Sequence, residues 1–177
     1  MYQLILLLLP QRRLALGMSL GIGLPLLASA GVPAVGTVDL SLRADGKNVQ
    51  VELSAAAPTL VGFSGSPVDA DQRETLKIAK ENLSHGEALV RFNPQASCLL
   101  EDVKVDADPQ ERKGEADMGA SYRFNCTFPQ SFKSAALGLF VGFPAVQRAH
   151  VRYTTDEGQG AAELTPGNPV VNFIPLQ

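Results

Sequence analysis

The sequence predicts an α+β domain that is mostly antiparallel β-sheet, with sandwich-like sheets and one main helix near residues 69–84. Several short segments alternate apolar and polar residues between Gly, Pro, Asn and Asp turn signals, which is typical of half-buried strands. One stretch instead repeats apolar residues at helical spacing behind a capping signal. Six or more short strands and one helix favour an antiparallel sheet system in one compact domain.

An N-terminal hairpin is the clearest predicted element. Two alternating segments flank the turn signal Asp45-Gly46. Their apolar residues share one face and are Val38, Leu40, Leu42, Val49, Val51 and Leu53. We expect Pro58 to end the second strand. Leu60–Pro67 should follow as an apolar turn and a Gly/Ser loop, without any His, Cys, Asp or Glu.

The main helix begins at a capping signal. Asp69 is the expected N-cap and Gln72 is its capping-box partner. The apolar residues of one helix face are Leu76, Ala79 and Leu83. Gly86 is expected just beyond the helix end, which places His85 in the last turn, where its imidazole suits the helix dipole. A ligand role is the alternative for His85.

The rest of the chain predicts further strands. Their predicted ranges are 88–92, 98–106, 121–126, 149–153, 162–164 and 170–174. Tyr122, Phe124 and Cys126 are alternate residues of one predicted strand and therefore lie on the same face, so we expect Cys126 to face the core. His150 is expected to face outward. The apolar run near residues 135–143 fits either a short helix or a buried strand.

Residues 1–30 have the features of a secretory signal peptide. Arg12-Arg13 precedes the uncharged segment Leu14–Leu27, and Ala28-Ser29-Ala30 supplies a small-residue cleavage site. The apolar segment is shorter than the roughly 20 residues of a membrane span. We therefore expect cleavage, a single domain over residues 31–177 and a periplasmic protein without a membrane anchor. A retained anchor is the alternative.

The charge of the chain argues against nucleic acid as a partner. The chain has 177 residues and a formal net charge of −3. Loss of Arg12 and Arg13 leaves 13 basic residues against 18 acidic ones, which makes the charge −5. Binding to a phosphate backbone or to an anionic membrane requires clustered Lys and Arg. We expect neither partner for this acidic domain.

Cys98 and Cys126 are the two cysteines of the chain. An even pair in an exported domain predicts a disulfide. Such a bond would contribute about 3–4 kcal/mol through the chain-entropy effect. A redox pair or a thiolate metal site is the alternative. It is disfavoured because C-x-x-C spacing is missing and two Cys do not complete a zinc shell.

The sequence of the predicted domain contains no recognised catalytic motif. Gly17–Gly21 matches the G-x-S-x-G nucleophile elbow, but it lies in the predicted leader without a strand–turn–helix context. His85 and His150 are the two histidines, and neither has a recognisable catalytic partner in the sequence. Metalloprotease, P-loop and dinucleotide-binding signatures are missing. We therefore expect that the protein is not an enzyme.

Several stretches share a resemblance that covers nearly the whole predicted domain. In chain order they are Gly36–Leu53, Leu60–Phe63, Asp69–Gln72, Ser121–Cys126, Leu139-Phe140, Phe143-Pro144 and Gly158–Pro166. Together they resemble the ZrgA-type periplasmic zinc-uptake proteins. The resemblance implies an exported bacterial protein that binds zinc and assists an ABC-type zinc importer through the periplasmic solute-binding component of that importer.

This sequence has other residues at the positions where members of that family carry histidines. A His-x-His-like run at the start of the domain is replaced by Gly31–Gly36, and Glu-His after Leu60–Phe63 is replaced by Ser64-Gly65. The loop Asp108–Asp117, which is His-rich in the family, has no His. Neutral imidazole is a preferred zinc ligand, so the sequence supports no assignment of zinc ligands.

Two functions follow from the resemblance and its departures. The first is an exported accessory protein of zinc uptake whose own zinc site is weakened or lost. The alternative is a structural or protein-binding module of the periplasm that keeps the same scaffold without a metal.

Overall fold

The computed structural model describes residues 34–107 and 117–173, and β-strands dominate this part of the chain. The strands are β1 (Thr37–Asp45), β2 (Asn48–Ala56), β3 (Val90–Phe92), β4 (Cys98–Asp106), β5 (Asp117–Cys126), β6 (Ser134–Leu137), β7 (Arg148–Thr155), β8 (Gly158–Leu164) and β9 (Val170–Asn172). The α-helices are α1 (Ala57–Val61), α2 (Ala70–Ser84), α3 (Gly86–Leu89) and α4 (Leu139–Gly142). The predicted α+β class with one main helix is confirmed.

Six strands form the larger sheet, in the order β4-β5-β2-β1-β7-β8. The predicted hairpin lies at its centre, with Leu40 opposite Leu53 and Leu42 opposite Val51. The neighbouring strands are antiparallel except for β1 and β7, which are parallel. The predicted, mostly antiparallel pairing is confirmed, although the sequence did not identify the parallel pair. The long stretch of chain between β1 and β7 permits this parallel pair, because parallel strands require a long crossover rather than a tight turn.

A three-stranded sheet in the order β3-β6-β9 packs against the inner face of the larger sheet. Aromatic rings fill the contact between the two sheets. Phe92 on β3 meets Phe124 on β5 edge to face, with ring centroids 5.0 Å apart. Phe173, which follows β9, meets Tyr153 on β7 at 5.2 Å. These contacts account for the sandwich-like part of the predicted fold.

Helix α2 covers another part of the same inner face, and its predicted N-cap and apolar face are confirmed. The Asp69 carboxylate accepts a hydrogen bond from the Gln72 N–H at 2.8 Å, and the Gln72 side chain accepts one from the Val68 N–H at 2.9 Å. The buried face of the helix consists of Leu76, Ala79 and Leu83. The Tyr122 hydroxyl, on β5, donates to the Leu83 carbonyl at 2.8 Å, and burial raises the pKa of this phenol.

Two short helices lie where the sequence predicted a turn and a strand. Helix α1 follows β2 directly, and Pro58 lies in its first turn, where the missing N–H of proline costs no helical hydrogen bond. Gly86 directly follows the α2 C-cap His85, as predicted, but it also begins α3, which the sequence did not predict. A Cβ at Gly86 would lie 2.4 Å from the Tyr122 ring, so close packing requires glycine there.

The apolar run near residues 135–143 contains both of the predicted alternatives. Its first part is β6, which pairs with β3 and β9, and its second part is the single turn α4. Gly138 joins them and donates its N–H to the Leu89 carbonyl at 2.8 Å. A Cβ at Gly138 would lie 2.0 Å from the Ala88 carbonyl oxygen. The close approach of this joint to α3 therefore requires glycine.

The predicted disulfide joins Cys98 at the start of β4 to Cys126 at the end of β5, where the two residues lie opposite each other. Their Cα atoms are 3.9 Å apart and their sulfur atoms are 2.01 Å apart. Cys126 is fully buried, as predicted from its position on the same strand face as Tyr122 and Phe124. The bond ties the edge strand β4 to the core strand β5.

The predicted signal peptide, residues 1–30, lies outside the described residues and stays a prediction. In residues 34–107 and 117–173, none of the helices is long and apolar enough to cross a membrane.

Candidate functional site

A groove runs between helix α2 and the segment around α4, and we call it the α2–α4 groove. The Asn82 side-chain amide donates to the Gly142 carbonyl at 3.1 Å and links the two walls. A cavity of about 360 Å³ lies on one side of this pair and one of about 160 Å³ on the other. The larger cavity is lined by Asn82, His85, Ala88, Leu89, Arg91, Gly138, Val141 and Gly142. The smaller cavity includes Leu60, Ile78 and Phe143.

The larger cavity combines basic and apolar side chains. His85 reaches it from the junction of α2 and α3, and Arg91 reaches it from β3. Leu89 is buried in its wall, whereas the Val141 side chain on α4 is 83% exposed at its rim. Among the described residues that line this cavity, none is acidic. His85 is thus an exposed residue of a cavity wall, which its predicted place at a helix end did not indicate.

The second histidine lies on the opposite face of the larger sheet. His150 on β7 points outward, as predicted, and stands between Asp39 on β1 and Glu163 on β8. Its Nδ1 lies 3.3 Å from Asp39 Oδ1, and its Nε2 lies 3.5 Å from Glu163 Oε2. Arg148 also contacts Glu163, with Nε 3.1 Å from Oε1. The four side chains form one partly exposed charged row, which we call the His150 row.

The His150 row does not have the geometry of a zinc site. Zinc in proteins is held by three or four ligands arranged as a tetrahedron. Here the two carboxylates face different ring nitrogens of His150, so a single ion cannot reach both of them together with the ring. In residues 34–107 and 117–173, no three His, Cys, Asp or Glu side chains are close enough to hold a metal ion. The larger sheet also separates His85 from His150.

The loop after Leu60–Phe63 is a surface feature. Val61 is buried, Gly62 ends α1 in a left-handed conformation with φ of 79°, and Phe63 packs partly against the core. Ser64 follows and is exposed to solvent. The apolar half of Leu60–Pro67 therefore belongs to the scaffold, and the Gly/Ser half is open to solvent. The other two departures from the expected family pattern lie partly outside the described residues, which exclude residues 31–33 and 108–116.

Fold and site together define a class of small disulfide-linked domains, in which a mixed sheet carries an apolar groove on one side and a charged row on the other. Within that class the chain belongs to the ZrgA family. The family model described as "ZrgA family zinc uptake protein" matches residues 33–173, which is most of the chain. The predicted resemblance is confirmed, and it relates the chain to zinc uptake. A comparison with curated proteins gave no match.

The sequence did not reveal the α2–α4 groove. Arg91 lies in a short strand pattern that marks it only as an outward-facing residue, and its cavity neighbours come from a segment far along the chain. Gly138 and Gly142, inside an otherwise apolar run, were the available signal, because glycine in such a run often marks a close backbone approach. The partners of that approach are set by tertiary packing, which the local pattern does not contain.

Proposed function

We propose that this protein is an exported accessory protein of zinc uptake that binds a protein partner, while its own zinc site is weakened or lost. The partner is the periplasmic solute-binding component of an ABC-type zinc importer. The protein acts by binding and not as an enzyme. Family membership supports the connection to zinc uptake.

One observation carries the proposal of a weakened site. The described residues of a zinc-uptake family member bring no three metal-binding side chains together. His150 is the histidine with acidic neighbours, and each neighbour faces a different ring nitrogen. An ion at Nε2 would have Glu163 as its second ligand and would compete with Arg148 for that carboxylate. Two exposed ligands and a competing cation hold zinc only weakly.

The disulfide supports the proposed location. Disulfides persist in oxidising compartments outside the cytosol, and Cys98 and Cys126 are bonded in this protein. The predicted leader at residues 1–30 supports the same location. An exported protein shares its compartment with the solute-binding component of a zinc importer, so the proposed partners can meet.

Equilibrium dialysis against zinc, combined with a pull-down on the immobilised solute-binding component, tests the proposal. We expect little zinc retention by the purified protein and specific capture by the solute-binding component. A pull-down with an unrelated periplasmic binding protein is the control. Failure of capture, together with unchanged growth under zinc chelation after removal of the gene, would contradict the proposal and favour the structural module without a metal role.

A further inference from the structure

The larger cavity of the α2–α4 groove has a charge opposite to that of the whole chain. The chain has a formal net charge of −3, yet the described residues that line this cavity include the arginine Arg91 and the histidine His85 and no carboxylate. No described residue forms a salt bridge with Arg91 within 4.0 Å, whereas Arg123, Arg148 and Lys133 each pair with a carboxylate. An unpaired guanidinium at the edge of a cavity is a ready anion-binding group.

The rest of the cavity is apolar and is shaped by the backbone. Leu89 and Ala88 come from α3, and Val141 closes the rim from α4. The joint at Gly138 approaches α3 so closely that a Cβ there would meet the Ala88 carbonyl oxygen at 2.0 Å. The same hypothetical Cβ lies 3.7 Å from a terminal guanidinium nitrogen of Arg91, so the cationic group borders this joint. The volume of about 360 Å³ falls in the range of small-molecule sites.

We propose that this cavity binds a carboxylate that carries a short apolar group, with Arg91 pairing the carboxylate and Leu89 and Val141 contacting the apolar part. His85 also lines the cavity and offers a second N–H donor. The ligand is either a small organic acid or the C-terminal carboxylate of a peptide, since both present the same chemistry. This inference is independent of the proposed zinc-uptake role, because it uses neither a metal nor the solute-binding component.

Other ligand classes fit the cavity less well. A metal cation would be repelled by Arg91 and would find one imidazole and one amide as ligands, which is too few for zinc. Inorganic phosphate would pair with Arg91 but would leave the apolar wall exposed to water. The combination of one cation and an apolar wall selects a ligand with one anionic end and one apolar end.

An NMR titration of the purified protein tests the proposal. The probes are hexanoate as the organic acid, N-acetyl-leucine as the mimic of a peptide C-terminus, and hexylamine and inorganic phosphate as controls. We expect the two carboxylates to shift the amide signals of Gly138, Val141 and Gly142 in a saturable way. Preference between them distinguishes a small acid from a peptide terminus. Hexylamine and phosphate should leave these signals unchanged at the same concentrations.

Two variants and a matched control complete the test. Arg91→Gln should weaken carboxylate binding about tenfold or more, as the loss of a charge-assisted hydrogen bond predicts. Val141→Glu places a negative charge at the exposed rim, and it should weaken binding of a carboxylate by repulsion. Arg152→Gln, at an exposed arginine on the outer face of β7, should bind as the unaltered protein does. Equal binding by Arg91→Gln, or equal shifts with hexylamine, would overturn the proposal.

Discussion

On its inner face, the larger sheet buries every second side chain of β1 and β2 under the helices and the smaller sheet. On its outer face, the alternate residues are half-buried or exposed. Leu42 is 3% exposed, and the next residue, Arg43, is exposed. The inner face therefore carries the folding free energy. The outer face, with the His150 row, carries charge and can change its residues at little cost in stability.

This difference is relevant to the proposal that the zinc site of this family member is weakened or lost. Residues at inner-face positions are constrained by packing, because their loss would unfold the domain. Residues at exposed positions such as Ser64 do not have that constraint, so ligands placed there can be lost while the fold remains. Four changes test how sharply the two faces differ.

The largest effect is expected for the disulfide, which anchors the edge strand β4 to the inner-face residue Cys126. Replacing both Cys98 and Cys126 by Ala should lower the free energy of unfolding by about 3–4 kcal/mol. Urea denaturation followed by circular dichroism measures the change. A loss below about 1 kcal/mol would show that the β4–β5 pair holds without its covalent link.

The next effect compares neighbouring residues on the two faces of β1. Leu42→Ala should destabilise the protein by about 3 kcal/mol, because it removes a buried side chain and leaves a cavity. Arg43→Ala is the matched control, and its cost should stay within about 0.5 kcal/mol. Equal costs for the two variants in urea denaturation would remove the distinction between the faces.

A smaller effect is expected for the buried hydroxyl that joins β5 to α2. Tyr122→Phe removes the hydrogen bond to the Leu83 carbonyl and should cost about 1 kcal/mol at neutral pH. Burial raises the pKa of Tyr122 above its ordinary value of 10.0, so the unfolded state loses this proton first as the pH rises. The stability of the unaltered protein therefore falls above that pH.

Tyr122→Phe lacks this alkaline loss. The difference in stability between the two proteins should shrink above about pH 10, where the phenol of the unfolded state ionises. A pH series of thermal unfolding curves checks this. If the difference in stability stays constant up to about pH 11, one unit above the ordinary pKa of tyrosine, the hydroxyl titrates equally in the folded and unfolded states.

The smallest effect is expected in the His150 row. Glu163→Gln removes the partner of both Arg148 and His150, yet all three side chains are about half exposed. We expect a change within about 0.5 kcal/mol, and one that decreases further as salt is added. A cost above 2 kcal/mol, roughly twice the upper end for exposed pairs, would mean that the row is a structural element of the sheet.

Much of the fold could be predicted, because the alternation of apolar and polar residues along a strand shows which side chains face the core. Alternation in the sequence places Leu40, Tyr122 and Cys126 on the buried faces of their strands. The N-cap at Asp69 was predictable because it forms a local hydrogen bond. The helices α1 and α3 could not be predicted, because one turn of helix has no periodicity and is held by tertiary packing. The parallel β1–β7 pair likewise depends on a crossover that no local pattern encodes.

The candidate sites were predictable to a lesser degree. His150 was expected on an outer face and lies there, but its neighbours Asp39 and Glu163 come from strands whose register the sequence does not fix. His85 was expected at a helix end, and it is the C-cap of α2. Its cavity forms only when α4 packs against α3, so neither Arg91 nor Val141 could be associated with it in advance.

A calorimetric titration of the purified protein with zinc tests the proposed weakening of the zinc site most directly. The account predicts no binding of micromolar affinity or tighter, and any weaker binding should be lost in His150→Ala but kept in His85→Ala. Micromolar or tighter binding would contradict the account, and its insensitivity to both substitutions would show that the site assembles from residues that the account does not assign to a metal.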